Sequence, residues 1–146
     1  MSDVLYPDPQ TLIPHRGRFL LIDEIVRLEA GIVEATGFFS IERVEGHFPN
    51  MPVVPGVLLL EGLAQTMACG HVTWSDNNVD GTPFLAGFDR VRFKAPVLPP
   101  ARVHYSITLK EQRFGLTYAT GRVSFEGKTV CKARLSGVIV PSELVE

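Results

Sequence analysis

Gly56-Val57-Leu58-Leu59-Leu60-Glu61-Gly62-Leu63-Ala64-Gln65-Thr66-Met67-Ala68-Cys69-Gly70-His71-Val72-Thr73-Trp74 is a run without proline in which Glu61 is the only charged residue. Leucine, alanine, methionine and glutamine dominate it, and these side chains lose little rotamer freedom in a helix. The run therefore predicts a helix from Gly56 to about Trp74. Apolar residues occur all round its circumference (Val57, Leu58, Leu59, Leu60, Leu63, Ala64, Met67, Ala68), so it must be covered on most sides. That cover has to come from the rest of the chain.

Upstream, Ser40–Pro55 is punctuated by Gly46, Pro49, Pro52 and Pro55 and reads as irregular. Before it, Phe19–Leu28 and Ile32–Phe39 are rich in β-formers and predict two strands, with Glu29-Ala30-Gly31 as the turn. Asp8-Pro9 reads as a cap followed by proline at the first helical position, opening a short turn that Pro14 closes.

Downstream, Ser75–Thr82 reads as a loop and everything after it as β-structure. Phe84–Lys94 alternates, with Val91 and Phe93 on one face and Arg90, Arg92 and Lys94 on the other. Val103, Tyr105, Ile107 and Leu109 alternate likewise, and Glu111–Gly115 turns the chain. Leu116–Phe125 and Thr129–Val140 pair across Glu126-Gly127-Lys128, and Cys131, Ala133, Leu135, Gly137 and Ile139 share a face of the last strand. Two strands, a long buried helix, then about four strands in antiparallel succession argue for α+β architecture, with a curved antiparallel sheet around the helix, and against a parallel βαβ fold. The 146 residues read as one domain (1–146), without repeats or a linker.

Composition excludes several function classes. Of the chain, 45% is hydrophobic and 21% charged, and its formal net charge is −2, so no global field draws it to nucleic acid or anionic membrane. The apolar run Val53–Leu60 is too short for a membrane span, and Met1–Gln10 lacks the pattern of a secretory signal. Cys69 and Cys131 make no disulfide framework, which suits a reduced, cytoplasmic setting. His15, His47, His71 and His104 show no metal-ligand spacing, and GxGxxG and Walker patterns are missing. No metal and no cofactor is expected.

Chemistry concentrates in Gly46–Gln65. His47 stands among glycine, phenylalanine and prolines, where a loop imidazole can act as a base near neutral pH. Gly56 opens the helix, where amides lack intrahelical partners and the dipole is positive, and Val57 follows it. Such amides stabilise a thioester carbonyl as it turns enolate-like. Glu61 lies in the second turn of an apolar helix and calls for a partner, a raised pKa or a function. Gln65, four residues on, shares its face and can orient it. Each residue alone has an ordinary structural explanation: a loop histidine capping a turn, a paired carboxylate. Together, base, amides and acid are the parts for eliminating water.

These residues carry a resemblance. Ile13-Pro14-His15-Arg16, Phe19-Leu20-Leu21-Ile22-Asp23, Gly46-His47-Phe48-Pro49, Pro52, Pro55-Gly56-Val57, Glu61 and Ala64-Gln65 resemble the 3-hydroxyacyl-[acyl-carrier-protein] dehydratases of the FabZ/FabA family, which have the hot-dog fold. The likeness continues through Ala86-Gly87-Phe88-Asp89, Arg92-Phe93-Lys94, Pro96-Val97, Arg113-Phe114-Gly115 and Val130-Cys131-Lys132-Ala133. It implies that His47 is the catalytic histidine and Glu61 the acid given by the neighbouring subunit of a homodimer. It also implies that Gly56, with Val57 beside it, offers its amide to the thioester carbonyl. Glutamate at 61 resembles the FabZ branch, which converts a (3R)-3-hydroxyacyl thioester to the trans-2-enoyl thioester without isomerising it.

Two segments depart from the family pattern: Leu98-Pro99-Pro100-Ala101, and Gly17-Arg18 after the His-Arg element. They suit a specialised branch, such as polyketide or aryl-polyene synthesis, as well as fatty acid synthesis.

The substrate partner implied is an acyl carrier protein or CoA thioester. Arg90, Arg92 and Lys94, with Arg16, Arg18 and Arg102, can receive an acidic carrier, or form a solvated face of scattered charge. A dimer or a larger oligomer is implied; nucleic acid and a membrane span are not. Two other readings stay open: a hot-dog acyl thioesterase, which gives the His47 motif no particular task, and a non-catalytic acyl-thioester-binding subunit.

Overall fold

The computed structural model describes residues 5–74 and 81–141, the side chains of 72–74 excepted. Six strands form one antiparallel sheet: β1 (Glu24–Glu29), β2 (Ile32–Phe39), β3 (Gly81–Phe93), β4 (Ala101–Arg113), β5 (Leu116–Phe125) and β6 (Lys128–Pro141). The helix α1 spans Gly56–Trp74, the predicted bounds, and packs mainly against β4 and β2, with further contacts to β6, β5 and β3. This is the hot-dog arrangement. Spatial order is β1-β2-β4-β5-β6-β3, so β3 crosses to the far edge and pairs with β6. The last four strands are therefore not a simple succession.

Helix and sheet meet closely because α1 carries glycine where it crosses β4. A Cβ on Gly62 would collide with the Tyr105 ring, and Tyr105 is fully buried with its hydroxyl donating to the Leu21 carbonyl at 3.3 Å. Val103, Tyr105, Ile107 and Leu109 turn inward as their alternation predicts, as do Cys131, Ala133 and Leu135 of β6.

Four local readings are corrected. The first strand starts at Glu24, not Phe19, because backbone groups at 19 and 21 bond to the buried Gln65 side chain instead of a neighbouring strand. Gly81 and Thr82, read as loop, already pair with Pro141 and Val140, while 75–80 lie outside the described residues. The turn read as Glu111–Gly115 shrinks to Phe114-Gly115, whose φ values of 56° and 79° suit a two-residue hairpin whose twist matches its strands. Finally, the alternation in β3 is broken: the register slips between Asp89 and Arg92, where Arg90 has φ 52°, and Phe93 is 55% exposed.

Other turns follow the sequence. Asp8 caps the Pro9–Thr11 turn by accepting from the Gln10 amide at 2.9 Å. Glu126-Gly127, with φ of 51° and 80°, closes the β5–β6 hairpin.

Candidate active site

Gly46 at φ 95° redirects the chain into the His47 loop. His47 is then locked to Val53 from two sides: the Val53 amide donates to the His47 carbonyl at 2.7 Å, and His47 Nδ1 lies 2.9 Å from the Val53 carbonyl. A carbonyl only accepts, so the proton sits on Nδ1 and Nε2 holds the lone pair of the neutral ring. The imidazole stacks on Phe48, with centroids 4.2 Å apart. The His47–Phe48 peptide is cis.

The same segment leads into α1. Val54 donates to the Val97 carbonyl at 2.9 Å, and the Pro55 carbonyl accepts the helix's first bond, from Leu58 at 3.0 Å. Gly56 and Val57 thus supply first-turn amides without intrahelical partners, at the positive end of a 19-residue helix. Why glycine stands at 56 is steric as well: a Cβ there would lie 2.6 Å from the Phe93 ring. His47, Gly56, Val57, Phe93 and Lys94 line one open cavity of about 450 Å³.

Glu61 opens elsewhere. Its side chain is 36% exposed, and its carboxylate accepts from Gln65 Nε2 at 3.0 Å, so it is a partnered group and not a lone buried charge. Gln65 is 1% exposed and satisfied at both ends: Nε2 also donates to the Phe19 carbonyl at 2.6 Å, and Oε1 accepts the Leu21 amide at 2.9 Å. One glutamine therefore ties the segment before β1 to the helix and fixes Glu61. His15 Nε2 stands 3.7 Å from the same Glu61 oxygen, with its Nδ1 buried and unbonded. Arg16 cannot serve as an open cation beside it, since its guanidinium spans the Ile13, His15 and Gln10 carbonyls at 2.7–2.8 Å.

His15 and Glu61 line a second, narrower cavity of about 90 Å³ that continues along α1 to His71 and Thr117. His71 Nδ1 is 2.9 Å from Thr117 Oγ1, and burial lowers its pKa. Sequence reasoning gave no role to His71, Thr117 or Phe93. The signal for His71 was its place on the Glu61 stripe, through Ala64 and Ala68. Thr117 and Phe93 depend on strand register and had no local signal.

Within one chain, His47 and Glu61 thus face different cavities, and Gln65 lines neither, holding Glu61 from the buried interior. Arg90, Arg92 and Lys94 are all exposed on β3 or just past it, and only Lys94 reaches the His47 cavity. Arg102 lies 3.7 Å from Asp23 and over the Phe38 ring. Among the described residues no group of three or more histidine, cysteine or acidic side chains forms a metal cage, and no helix is long and apolar enough to cross a membrane.

One helix in a curved antiparallel sheet, with an imidazole at the helix start and a carboxylate a turn and a half on, defines the hot-dog class that processes acyl thioesters. The chain belongs to the family described as the FabA-like domain, whose model matches residues 13–134. Its relatives include the 3-hydroxyacyl-[acyl-carrier-protein] dehydratase FabZ of Mannheimia succiniciproducens, 40% identical over 130 residues that cover 86% of this chain and 85% of that one. FabZ of a Roseiflexus species is 39% identical, covering 85% and 88%; that of Haemophilus influenzae is 37% identical, covering 86% of each. Among solved structures, the dehydratase heterocomplex ApeI:P from Xenorhabdus doucetiae superposes with a TM-score of 0.75 at 17% identity, over 96% of this chain and 95% of that one. A thioesterase from Pseudomonas aeruginosa gives 0.65 at 14%, over 81% of each chain. These structural likenesses speak for the fold.

Proposed function

We infer that this chain is a 3-hydroxyacyl-[acyl-carrier-protein] dehydratase, converting a (3R)-3-hydroxyacyl thioester to the trans-2-enoyl thioester. Kinship with the FabZ enzymes supports the reaction and its place in fatty acid synthesis. The observation that carries the mechanism is the separation of His47 and Glu61 into two cavities of one protomer. A homodimer that brings the Glu61 face of one protomer to the His47 cavity of the other completes the site.

In that site His47 Nε2, the nitrogen with the lone pair, removes the α-proton. The Gly56 amide, with Val57 beside it, holds the thioester oxygen as negative charge develops. Glu61, in its acid form and aimed by Gln65, gives its proton to the departing β-hydroxyl, which leaves as water. One proton is taken and one given, so the site is reset once the proton held by His47 passes to the Glu61 carboxylate. The 13-residue edge strand β3, with Phe84 and Leu85 45% and 42% exposed, suits the dimer seam.

Lys94 on the rim of the His47 cavity, with Arg90 and Arg92 exposed on β3, supports docking of an acidic acyl carrier protein. A cytoplasmic location fits this chemistry and the two free, buried cysteines.

The test is to incubate the protein with a 3-hydroxyacyl thioester and follow enoyl absorbance and free thiol separately. Enoyl without thiol is the expected result. Thiol release would mean a thioesterase, and silence an accessory subunit.

A further inference from the structure

The cavity that begins at Glu61 does not end on hydrocarbon. Its walls are apolar along most of their length, with Ala64, Met67 and Ala68 from α1 facing Phe84 and Ile139 from the sheet. Its far end is His71 with Thr117. Ten residues of helix separate Glu61 from His71, a rise of about 15 Å. The cavity thus has a reacting end and a distal end, and both are polar.

The distal pair is ordered. Thr117 is 2% exposed, with Oγ1 2.9 Å from His71 Nδ1 and 3.4 Å from Gln112 Nε2. That contact fixes the ring, and both side chains lie on the cavity wall. A neutral imidazole donates at one nitrogen and accepts at the other, and a hydroxyl ligand can do either. A slot built only for alkyl chain gains nothing from a polar ring there, since removing such a group from water costs free energy unless it is bonded.

We propose that His71 and Thr117 form a distal polar subsite that recognises a hydroxyl group carried on the acyl chain far from the thioester. The enzyme then favours 3-hydroxyacyl thioesters with a hydroxyl at the remote end, aliphatic or phenolic, over hydrocarbon-ended ones of equal length. This specificity rests on the dehydratase reading above.

Matched pairs of 3-hydroxyacyl thioesters, ending in hydroxyl or in methyl and covering a ladder of chain lengths, test it. Enoyl formation is measured as kcat/KM for the wild type, His71→Leu and Thr117→Val. At the length that reaches the subsite, wild type favours the hydroxyl-ended member by about tenfold, the worth of one good hydrogen bond. Both variants bring that ratio to one or below, mainly through KM of the hydroxyl-ended member. Thr117→Val is nearly isosteric and decides the matter alone should His71→Leu not fold. A wild-type ratio of one or less at every length overturns the proposal, and so does a ratio that neither variant moves; the pair then only ties α1 to β5. If the wild type forms enoyl product from no substrate, the dehydratase reading itself fails, and this inference falls with it.

Discussion

Replacing Gln65 with leucine separates what this glutamine does for the fold from what it does for Glu61. The side chain is 1% exposed and makes three hydrogen bonds: from Leu21 N–H, to the Phe19 carbonyl and to Glu61. Leucine has similar bulk, so no large cavity opens, but the Leu21 amide is left buried without an acceptor. An orphaned buried donor costs about 1–3 kcal/mol, while the half-accessible Phe19 carbonyl can turn to water. A net loss of about 2 kcal/mol follows, which for a domain near 150 residues lowers Tm by about 4–8 °C. Glu61 also loses the 3.0 Å contact that aims it, and the loss of one positioning hydrogen bond lowers kcat/KM by about tenfold. Urea unfolding at fixed protomer concentration, with enoyl formation measured on the same samples, checks both numbers. Gln65→Glu is the companion: it keeps an acceptor for Leu21 but sets a second carboxyl against Glu61, so it should cost more activity for each degree of Tm lost. Stability within about 0.5 kcal/mol of wild type for Gln65→Leu, with unchanged turnover, would show that neither the buried Leu21 amide nor Glu61 depends on this glutamine.

Gly56→Ala places a methyl 2.6 Å from the Phe93 ring; overpacking of this kind costs about 1–3 kcal/mol, and Phe93→Leu should relieve part of the loss in thermal melts. Burial raises the Cys69 pKa to about 12 and that of Cys131 to about 11. Unfolded thiols ionise near 8.5, so from about pH 8.5 to 11 the unfolded chain releases protons that the folded one keeps, and stability falls as pH rises. A Cys69→Ala/Cys131→Ala double variant should lose less stability than wild type between pH 8 and pH 10, read as the shift in urea midpoint. At the acid end His71, whose pKa burial lowers, contributes stability present above about pH 6.5 and lost as pH falls below it, since the unfolded ring takes up a proton that the folded ring refuses. His71→Gln should flatten that acid limb.

Most of the architecture was legible because it rests on local rules. The helix bounds came from a proline-free run between Pro55 and the polar stretch that begins at Ser75, and β4 and β6 from strict alternation. The errors fall where a distant group wins over a local one. Phe19–Leu21 is rich in β-forming residues, yet its backbone answers to Gln65, more than forty positions away in the chain. The slip at Arg90 follows from pairing with β6, which no window around residue 90 contains. The residues proposed for the site, His47, Gly56, Glu61 and Gln65, stand out in the sequence by residue type and spacing. The distal pair was not, because Thr117 meets His71 only once β5 has been laid beside β6 and under α1.

In the proposed mechanism His47 and Glu61 work together only across two subunits. His47→Ala and Glu61→Gln should each lose dehydration by about 10²–10⁴-fold, the usual worth of a general base or acid. Unfolded, mixed in equal amounts and refolded together, the two inactive variants pair at random, and half of the dimers are mixed. Each mixed dimer holds one doubly impaired site and one intact site, so the mixture should recover about a quarter of wild-type activity for a two-fold dimer. A mixture as inactive as its parents, with mixed dimers shown to be present, would mean that each site is built from one chain.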